Sequence, residues 1–156
     1  FIRNETILVD RNLFDILTNN DIKWGFVSGA EPASARFVLE NRLNIKDPPL
    51  IAMGDAPDKP NPEGFLRLAK KLFKYGFGDN SPPIAYVGDT IADVQTVINA
   101  RNAIPTQKII SIAVAPPHLH RKSNRQERIS YESNLRKAGA DIIISSVNEI
   151  KNFMEI

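Results

Sequence analysis

The chain has 156 residues, a formal net charge of +2 and ordinary apolar and charged fractions, which suits one globular domain with its own core. So small a net charge gives no general argument for binding nucleic acid or a membrane surface, and neither partner is expected. The absence of cysteine excludes disulfides and thiolate chemistry. No apolar run is long enough to cross a bilayer and no signal peptide is visible, so we expect a cytoplasmic protein.

The amino-terminal part predicts a linker over residues 1–9 and a core domain over residues 10–156, with Asp10 at the start of a short helix. Trp24 to Val27 then predicts a strand that ends at Ser28-Gly29, just before another helix. The first amides of a helix have no internal partner and are able to bind an anion beside such a turn. Taken alone, however, Ser28 more often serves only the turn.

The next strand and helix surround a lysine. Leu50 to Met53 predicts a short strand, and Asn61-Pro62 favours the start of a helix. Lys59 therefore stands just outside a helix start, where a lysine is able to neutralise a phosphate as a point charge. The alternative is a solvated surface lysine, which is the more common fate of this residue type.

The clearest pattern in the sequence is Ile84-Ala85-Tyr86-Val87-Gly88-Asp89-Thr90-Ile91-Ala92-Asp93. Its first four residues predict a buried parallel strand, and the apolar spacing after Asp89 predicts a helix. Asp89 then lies at the carboxyl end of a strand, the edge at which open α/β sheets bind ligands, and a carboxylate there suits a hard cation such as Mg²⁺. Asp93 follows one helical turn later. The alternative is that both acids only cap the helix.

Beyond this helix, Ile109 to Val114 and Ile142 to Ile144 predict two more strands. Residues 118–137 between them are basic and polar, and they predict a mobile loop followed by a helix. Such a stretch is able to attract an anionic substrate, but it is more often solvated surface. His118 and His120 lack the acidic or cysteine partners of a zinc site.

Ser146 and Glu149 predict a capping box for a last helix, which is expected to bury Val147, Ile150 and Phe153. The complete order is strand and helix in alternation with short turns. This order predicts an α/β fold with a doubly wound, mainly parallel sheet. No G-x-G-x-x-G follows a strand, which argues against a dinucleotide-binding domain.

Three signals stand in order at the predicted strand ends: the serine of FVSGA, the lysine of DKPNP and the two acids of GDTIAD. Together they resemble the haloacid dehalogenase-like (HAD) hydrolase superfamily, mostly phosphatases with a Rossmann-like core, and within it the capped phosphoglycolate-phosphatase-like group. Ser28 matches the second motif of that family, Lys59 the third, and Asp89 with Asp93 the fourth. The resemblance implies that Ser28, Gly29 and Lys59 bind phosphate. It also implies that Lys59, Asp89 and Asp93 serve catalysis, with the two acids at a Mg²⁺ ion.

The first motif of that family, an apolar strand that ends in D-x-D-G and carries the nucleophilic aspartate, is not found. The nearest match is Ile7 to Asn12, in which asparagine replaces the second acid. We therefore interpret Asp10 as a helix start and residues 1–9 as a linker or the end of a cap. The chain is expected to be the carboxyl-terminal part of a longer protein, with the first strand of the sheet missing.

That strand sits in the middle of the sheet in the family, so a gap there would leave peptide groups without partners. We expect an amino-terminal segment or another copy of the chain to fill it. The resemblance then implies a magnesium-dependent phosphatase that acts on a small phosphorylated metabolite through an aspartyl-phosphate, and a fragment that is inactive alone. The alternative is a non-catalytic phosphate-binding or regulatory domain of the same fold.

Overall fold

The computed structural model describes residues 11–73 and 76–153. The longer elements, in chain order, are α1 (Arg11–Asn19), β1 (Phe26–Val27), α2 (Pro32–Arg36, continued as a π-helix over Phe37–Arg42), β2 (Leu50–Ile51), α3 (Glu63–Leu72), β3 (Ile84–Gly88), α4 (Ile91–Ala103), β4 (Ile109–Val114), α5 (Arg125–Ala138) and β5 (Ile142–Ile144). Short 3₁₀ helices cover Pro117–His120, Lys122–Asn124 and Val147–Asn152. The predicted linker and the predicted helix start at Asp10 lie outside the described residues. No described helix is both long and apolar enough to cross a membrane.

The described strands form two parallel sheets. β1 pairs with β2, and β4 lies between β3 and β5. Successive parallel neighbours are joined through helices, as the crossover between parallel strands requires. The prediction of a mainly parallel, Rossmann-like α/β fold is confirmed.

β3 is an edge strand of its sheet among the described residues. The amide of Ile84 donates to the carbonyl of Lys108 on the β4 side at 3.0 Å. Peptide groups alternate in direction along a parallel strand, so Ala85 and Val87 direct theirs away from β4. Ala85 is also exposed, which is unusual for the middle of a parallel strand.

β1 repeats this arrangement on the other sheet. Phe26 and Ser28 each donate an amide toward β2 at 2.8 Å, so the peptide groups of Val27 point away from β2. Val27 and Val87 line the same cavity. The outer edges of β1 and β3 therefore carry peptide groups that face no described strand. The family resemblance predicts a missing strand between these two edges.

The core beneath the cavity explains why these helices and strands form. The apolar stripe of α3 is buried at Phe65, Leu68 and Ala69, as its helical spacing predicts. Residues from α3, β3, α4 and β4 build one cluster: Phe65, Ala69, Ile84, Tyr86, Val97, Ala100 and Ile109. This cluster fixes the strand ends on which the cavity opens.

Two predicted strands are shorter in the structure. Trp24 lies outside β1 because its ring packs on Phe14, with centroids 4.9 Å apart, and its indole N–H donates to Thr18. β2 ends at Ile51 because the Asp55 carboxylate accepts the amide of Ala52 at 2.8 Å and turns the chain.

The carboxyl-terminal part also departs from the prediction. The stretch predicted as a mobile loop forms two 3₁₀ turns, and His120 Nε2 makes a 2.7 Å hydrogen bond with the carbonyl of Ala115. The last element is a 3₁₀ helix rather than an α-helix. Phe153 follows its end and is 52% exposed, so the prediction that this side chain is buried is wrong.

Candidate active site

A cavity of about 580 Å³ opens at the carboxyl ends of β1, β2 and β3. All five residues predicted as site residues line it: Ser28, Gly29, Lys59, Asp89 and Asp93. They reach it from three separate loops because the carboxyl ends of parallel strands meet at one edge. The volume is that of a pocket for a small ligand.

The carboxylate of Asp93 accepts five hydrogen bonds at the cavity. Its Oδ1 accepts hydrogen bonds from Lys59 Nζ at 2.7 Å and from the Tyr86 hydroxyl at 3.0 Å. Its Oδ2 accepts from the amides of Asp89 and Thr90, both at 3.1 Å, and from Thr90 Oγ1 at 2.9 Å. Thr90 Oγ1 in turn accepts the Asp93 amide, which completes a capping box at the start of α4. Asp93 therefore both caps the helix and holds the lysine.

The surroundings of Asp93 decide its charge. Burial alone would raise the pKa of this carboxyl group. The positive charge of Lys59 and the hydrogen bonds from Lys59, Thr90 and Tyr86 outweigh that effect and hold the pKa of Asp93 below its usual value. Burial, followed by the Asp93 charge and hydrogen bond, raises the pKa of Tyr86, so its hydroxyl stays protonated as a donor.

Gly88 makes the close approach of Asp93 possible. A β-carbon at position 88 would lie 2.4 Å from both Cβ and Cγ of Asp93, a distance that non-bonded carbon atoms do not tolerate. The glycine that ends β3 is therefore required by the packing of this aspartate, since no side chain fits between them.

Lys59 is held between two helices and is not a freely solvated surface side chain. The amide of Glu63 donates to Asn61 Oδ1 at 2.9 Å, so Asn61 closes the turn before α3, although Pro62 and not Asn61 takes the N-cap position. From α4, Asn99 Nδ2 donates to the carbonyl of Pro60 at 2.9 Å. The Lys59 side chain is only 22% exposed, and its ammonium group is fixed by the ion pair with Asp93.

Ser28 takes part in the turn after β1. Its Oγ accepts the amide of Ala30 at 3.0 Å, which is the structural role considered from the sequence. Because that bond uses an oxygen lone pair, the hydroxyl proton of Ser28 is still able to donate to a ligand. Gly29 has no side chain, so its amide is the candidate for binding, and a β-carbon at this position would meet nothing within 4 Å.

Three further residues belong to this site and were not predicted. Asp58 lines the cavity beside Lys59, Tyr86 binds Asp93, and Tyr131 of α5 donates its hydroxyl to the main-chain carbonyl of Asp89 at 2.5 Å. The sequence identifies Tyr86 only as a core residue of an alternating strand, so its role at Asp93 was not predicted. No local pattern connects Tyr131 with Asp89.

The charged residues that line the cavity are Asp58, Lys59, Asp89 and Asp93. Three carboxylates against one ammonium group leave the cavity with an excess of negative charge. The described residues contain no group of three or more His, Cys, Asp or Glu side chains that is able to hold a metal ion by itself. A cation here would therefore need additional ligands, such as water and the oxygens of a substrate.

The fold and the cavity define a Rossmann-like α/β protein with its ligand site at the carboxyl ends of the strands. The model of the haloacid dehalogenase-like hydrolase family matches residues 9–101, which is more than half of the chain. The chain belongs to this family, as its three motifs predict.

Solved structures support the same fold. The structure is similar to a phosphonoacetaldehyde hydrolase-like protein from Oleispira antarctica (TM-score 0.72, 21% identity), which it matches over 93% of this chain and 54% of that one. A protein assigned as a beta-phosphoglucomutase from Thermotoga maritima matches with a TM-score of 0.59 and 19% identity, over 93% of this chain and 57% of the other. A protein assigned as a haloacid dehalogenase-like hydrolase from Bacteroides fragilis matches with a TM-score of 0.56 and 21% identity, over 89% and 56%.

The chain thus spans little more than half the length of these three structures. At such identities the similarity concerns the fold alone. No curated protein matches the sequence.

Proposed function

We propose that this chain is part of a magnesium-dependent phosphatase that hydrolyses a phosphate monoester of a small metabolite. The supporting observation is that Ser28, Lys59, Asp89 and Asp93 line one cavity in a chain of the haloacid dehalogenase-like hydrolase family. Ser28, Lys59 and Asp93, taken singly, each have a structural explanation. A stable fold alone does not require a hydroxyl, an ammonium group and carboxylates from three loops to meet at one cavity.

The donor groups of the cavity suit Mg²⁺. This ion is commonly held by one or two carboxylates together with water and substrate phosphates. Asp89 would hold it, and Asp93, whose two oxygens already accept five hydrogen bonds, would keep the Asp89 loop in place. Bound there, Mg²⁺ would supply positive charge near the reacting phosphate. The excess of carboxylates supports a cation requirement, because an anionic ester alone would be repelled.

The residues of this chain would bind and orient the phosphoryl group. The Ser28 hydroxyl and the Gly29 amide would donate to its oxygens, and the Lys59 ammonium would balance its charge. Lys59 is suited to this task because Asp93 fixes its position before the substrate binds. Such prior positioning lowers the reorganisation that the reaction requires.

In this proposal the nucleophile comes from outside this chain. Its carboxylate would end a strand that lies between β1 and β3 and that an amino-terminal segment would supply. The outward peptide groups of Val27, Ala85 and Val87 support such a strand. The carboxylate oxygen would attack phosphorus while the ester P–O bond breaks, and the leaving oxygen would take a proton from an acid/base group of the same amino-terminal segment and depart as the alcohol. Water would then hydrolyse the aspartyl-phosphate and release inorganic phosphate.

The test uses a joined protein, in which the proposed amino-terminal segment precedes this chain. Its Mg²⁺-dependent hydrolysis of p-nitrophenyl phosphate is measured. Asp89→Asn is expected to lower turnover by about 100-fold, since it removes an ionised metal ligand. Asp79→Asn, in an exposed loop, is the matched control. Unchanged turnover in Asp89→Asn would reject the metal role. Appreciable turnover by residues 1–156 alone would show that the nucleophile lies within this chain.

The second candidate is a non-catalytic phosphate-binding or regulatory domain. The sequence favours it in one respect, because the first motif of the family is not found. It predicts that the joined protein binds inorganic phosphate in the presence of Mg²⁺ but does not hydrolyse any aryl phosphate. Turnover would exclude this candidate.

A further inference from the structure

Two tyrosines from different elements end on the segment that carries the acids. Tyr86 in β3 donates its hydroxyl proton to Asp93 Oδ1 at 3.0 Å. Tyr131 in α5 donates to the main-chain carbonyl of Asp89, although 42 residues separate the two in the sequence. The segment is therefore held from the sheet and from a helix at the same time.

The Tyr86 hydroxyl acts through one specific hydrogen bond. Tyr86 is 7% exposed, and its ring packs edge-on against Phe65 with centroids 4.9 Å apart. A phenylalanine ring would fill the same space, so the hydroxyl contributes through its bond to Asp93. Lys59 Nζ binds the same carboxylate oxygen, so Tyr86 orients the group that holds Lys59.

Tyr131 completes the fixation of the Asp89 main chain. The amide of Asp89 donates to Asp93 Oδ2 at 3.1 Å, while its carbonyl accepts from Tyr131 at 2.5 Å. The amide of Asp89 is thus held by a residue of α4 and its carbonyl by a residue of α5. A main chain fixed at both groups limits the directions in which its side chain is able to point.

We propose that Tyr86 and Tyr131 are positioning residues of the proposed phosphatase. Tyr86 orients Asp93 and thereby fixes the position of Lys59. Tyr131 fixes the main chain of Asp89 and thereby limits the position of the Asp89 carboxylate. The catalytic part of this inference rests on the proposed function, whereas the fixation itself is measurable in the chain alone. Phenylalanine variants are suitable because they remove one oxygen and keep the ring.

Amide hydrogen exchange in the chain of 156 residues tests the fixation. In Tyr86→Phe and Tyr131→Phe, the amides of Asp89 and Thr90 are expected to exchange about tenfold faster. Ser133→Ala on α5 is the matched control, and the amides of β4 report any global loss of stability. Exchange at Asp89 and Thr90 that stays equal to the wild type, or that rises only in step with β4, would overturn the proposal.

Kinetics of the joined protein test the catalytic consequence. Tyr131→Phe is expected to raise the Mg²⁺ concentration for half-maximal turnover about tenfold. Tyr86→Phe is expected to lower kcat about tenfold with little change in KM, because Lys59 is less well placed in the transition state. If the tyrosines were merely structural, both variants would have a lower melting temperature. Tyr131→Phe would then not act mainly on the Mg²⁺ requirement, nor Tyr86→Phe mainly on kcat.

The two levels of the proposal fail in different ways. If Asp89→Asn loses turnover while both phenylalanine variants keep wild-type kinetics, the positioning role is rejected and the phosphatase stands. If the wild-type joined protein shows no turnover, the phosphatase and the catalytic role of the tyrosines are rejected together. In that case the exchange rates still decide whether the tyrosines fix the Asp89 main chain.

Discussion

The ammonium group of Lys59 lies 2.7 Å from a carboxylate oxygen of Asp93, although 34 residues separate them in the sequence. Their side chains are 22% and 6% exposed, so the pair is largely shielded from water. The lysine precedes α3 and the aspartate begins α4, which makes the ion pair a direct link between two helices that border the cavity. A change in either residue therefore acts on the other.

The coupling within this pair is the first prediction. Lys59→Met and Asp93→Asn are each expected to lower the free energy of unfolding by about 2–4 kcal/mol, because each leaves a largely shielded charge without its opposite charge. The double variant should cost less than the sum, with a coupling of about 1–3 kcal/mol in urea unfolding.

The matched control for this cycle is the pair Arg36–Glu40, whose 3.5 Å contact joins side chains that are 46% and 41% exposed. Its coupling should stay below about 0.5 kcal/mol, since exposed pairs are screened by solvent. Strict additivity of Lys59→Met and Asp93→Asn would contradict the ion pair.

The acid dependence of stability is the second prediction. Asp93 has a depressed pKa in the folded chain and a value of about 3.9 when unfolded. Its stabilising contribution is therefore complete above about pH 4 and is lost as the pH falls through the folded pKa. The free energy of unfolding of the wild type should fall more steeply below about pH 4 than that of Asp93→Asn. Urea unfolding at several pH values measures this, and parallel curves for the two proteins would disprove it.

The third prediction concerns Gly88. Gly88→Ala places a β-carbon 2.4 Å from two atoms of Asp93, so either β3 or the start of α4 must shift. We expect a loss of about 1–3 kcal/mol in thermal unfolding, which is the usual range for overpacking. Gly76→Ala is the control, since a β-carbon there meets nothing within 4 Å and should change stability by less than about 1 kcal/mol. Equal stabilities for the two variants would contradict the packing described here.

The fourth prediction concerns the edges of the two sheets. In the chain alone, the amides of Ala85 and Val87 should exchange with solvent much faster than those of Ile84 and Tyr86, which face β4. Val27 in β1 should behave like Ala85. If an amino-terminal segment fills the space, as proposed above, joining that segment to the chain should protect all three outward amides. Protection of these amides in the chain alone, as strong as that of Tyr86, would mean that they already have partners.

The main features of the fold could be predicted because they follow from local patterns. β4 and β5 have the predicted bounds, and β3 is one residue longer than predicted, since apolar runs bounded by turn residues define buried strands. The meeting of Ser28, Lys59 and Asp89 at one cavity could also be predicted, because the carboxyl ends of parallel strands share an edge.

The remaining features depend on packing between distant elements. Tyr131 reaches Asp89 only because α5 packs on α4, and no periodic pattern encodes that contact. Trp24 has high strand propensity, but it lies outside β1, because its ring packs with those of Phe14 and Phe26 in an aromatic cluster. The sequence predicts Asp93 as a helix cap or a metal ligand, whereas its contact with Lys59 depends on the packing of α3 against α4.

The contact between Gly88 and Asp93 has an evolutionary consequence. The carboxylate fills the volume that a β-carbon at position 88 would need, so the two positions are not free to vary independently. A relative that has lost this aspartate no longer needs glycine at the end of the strand and is free to accept alanine or serine there. Covariation of these two alignment columns would therefore separate relatives that keep the lysine–aspartate pair from those that have abandoned it.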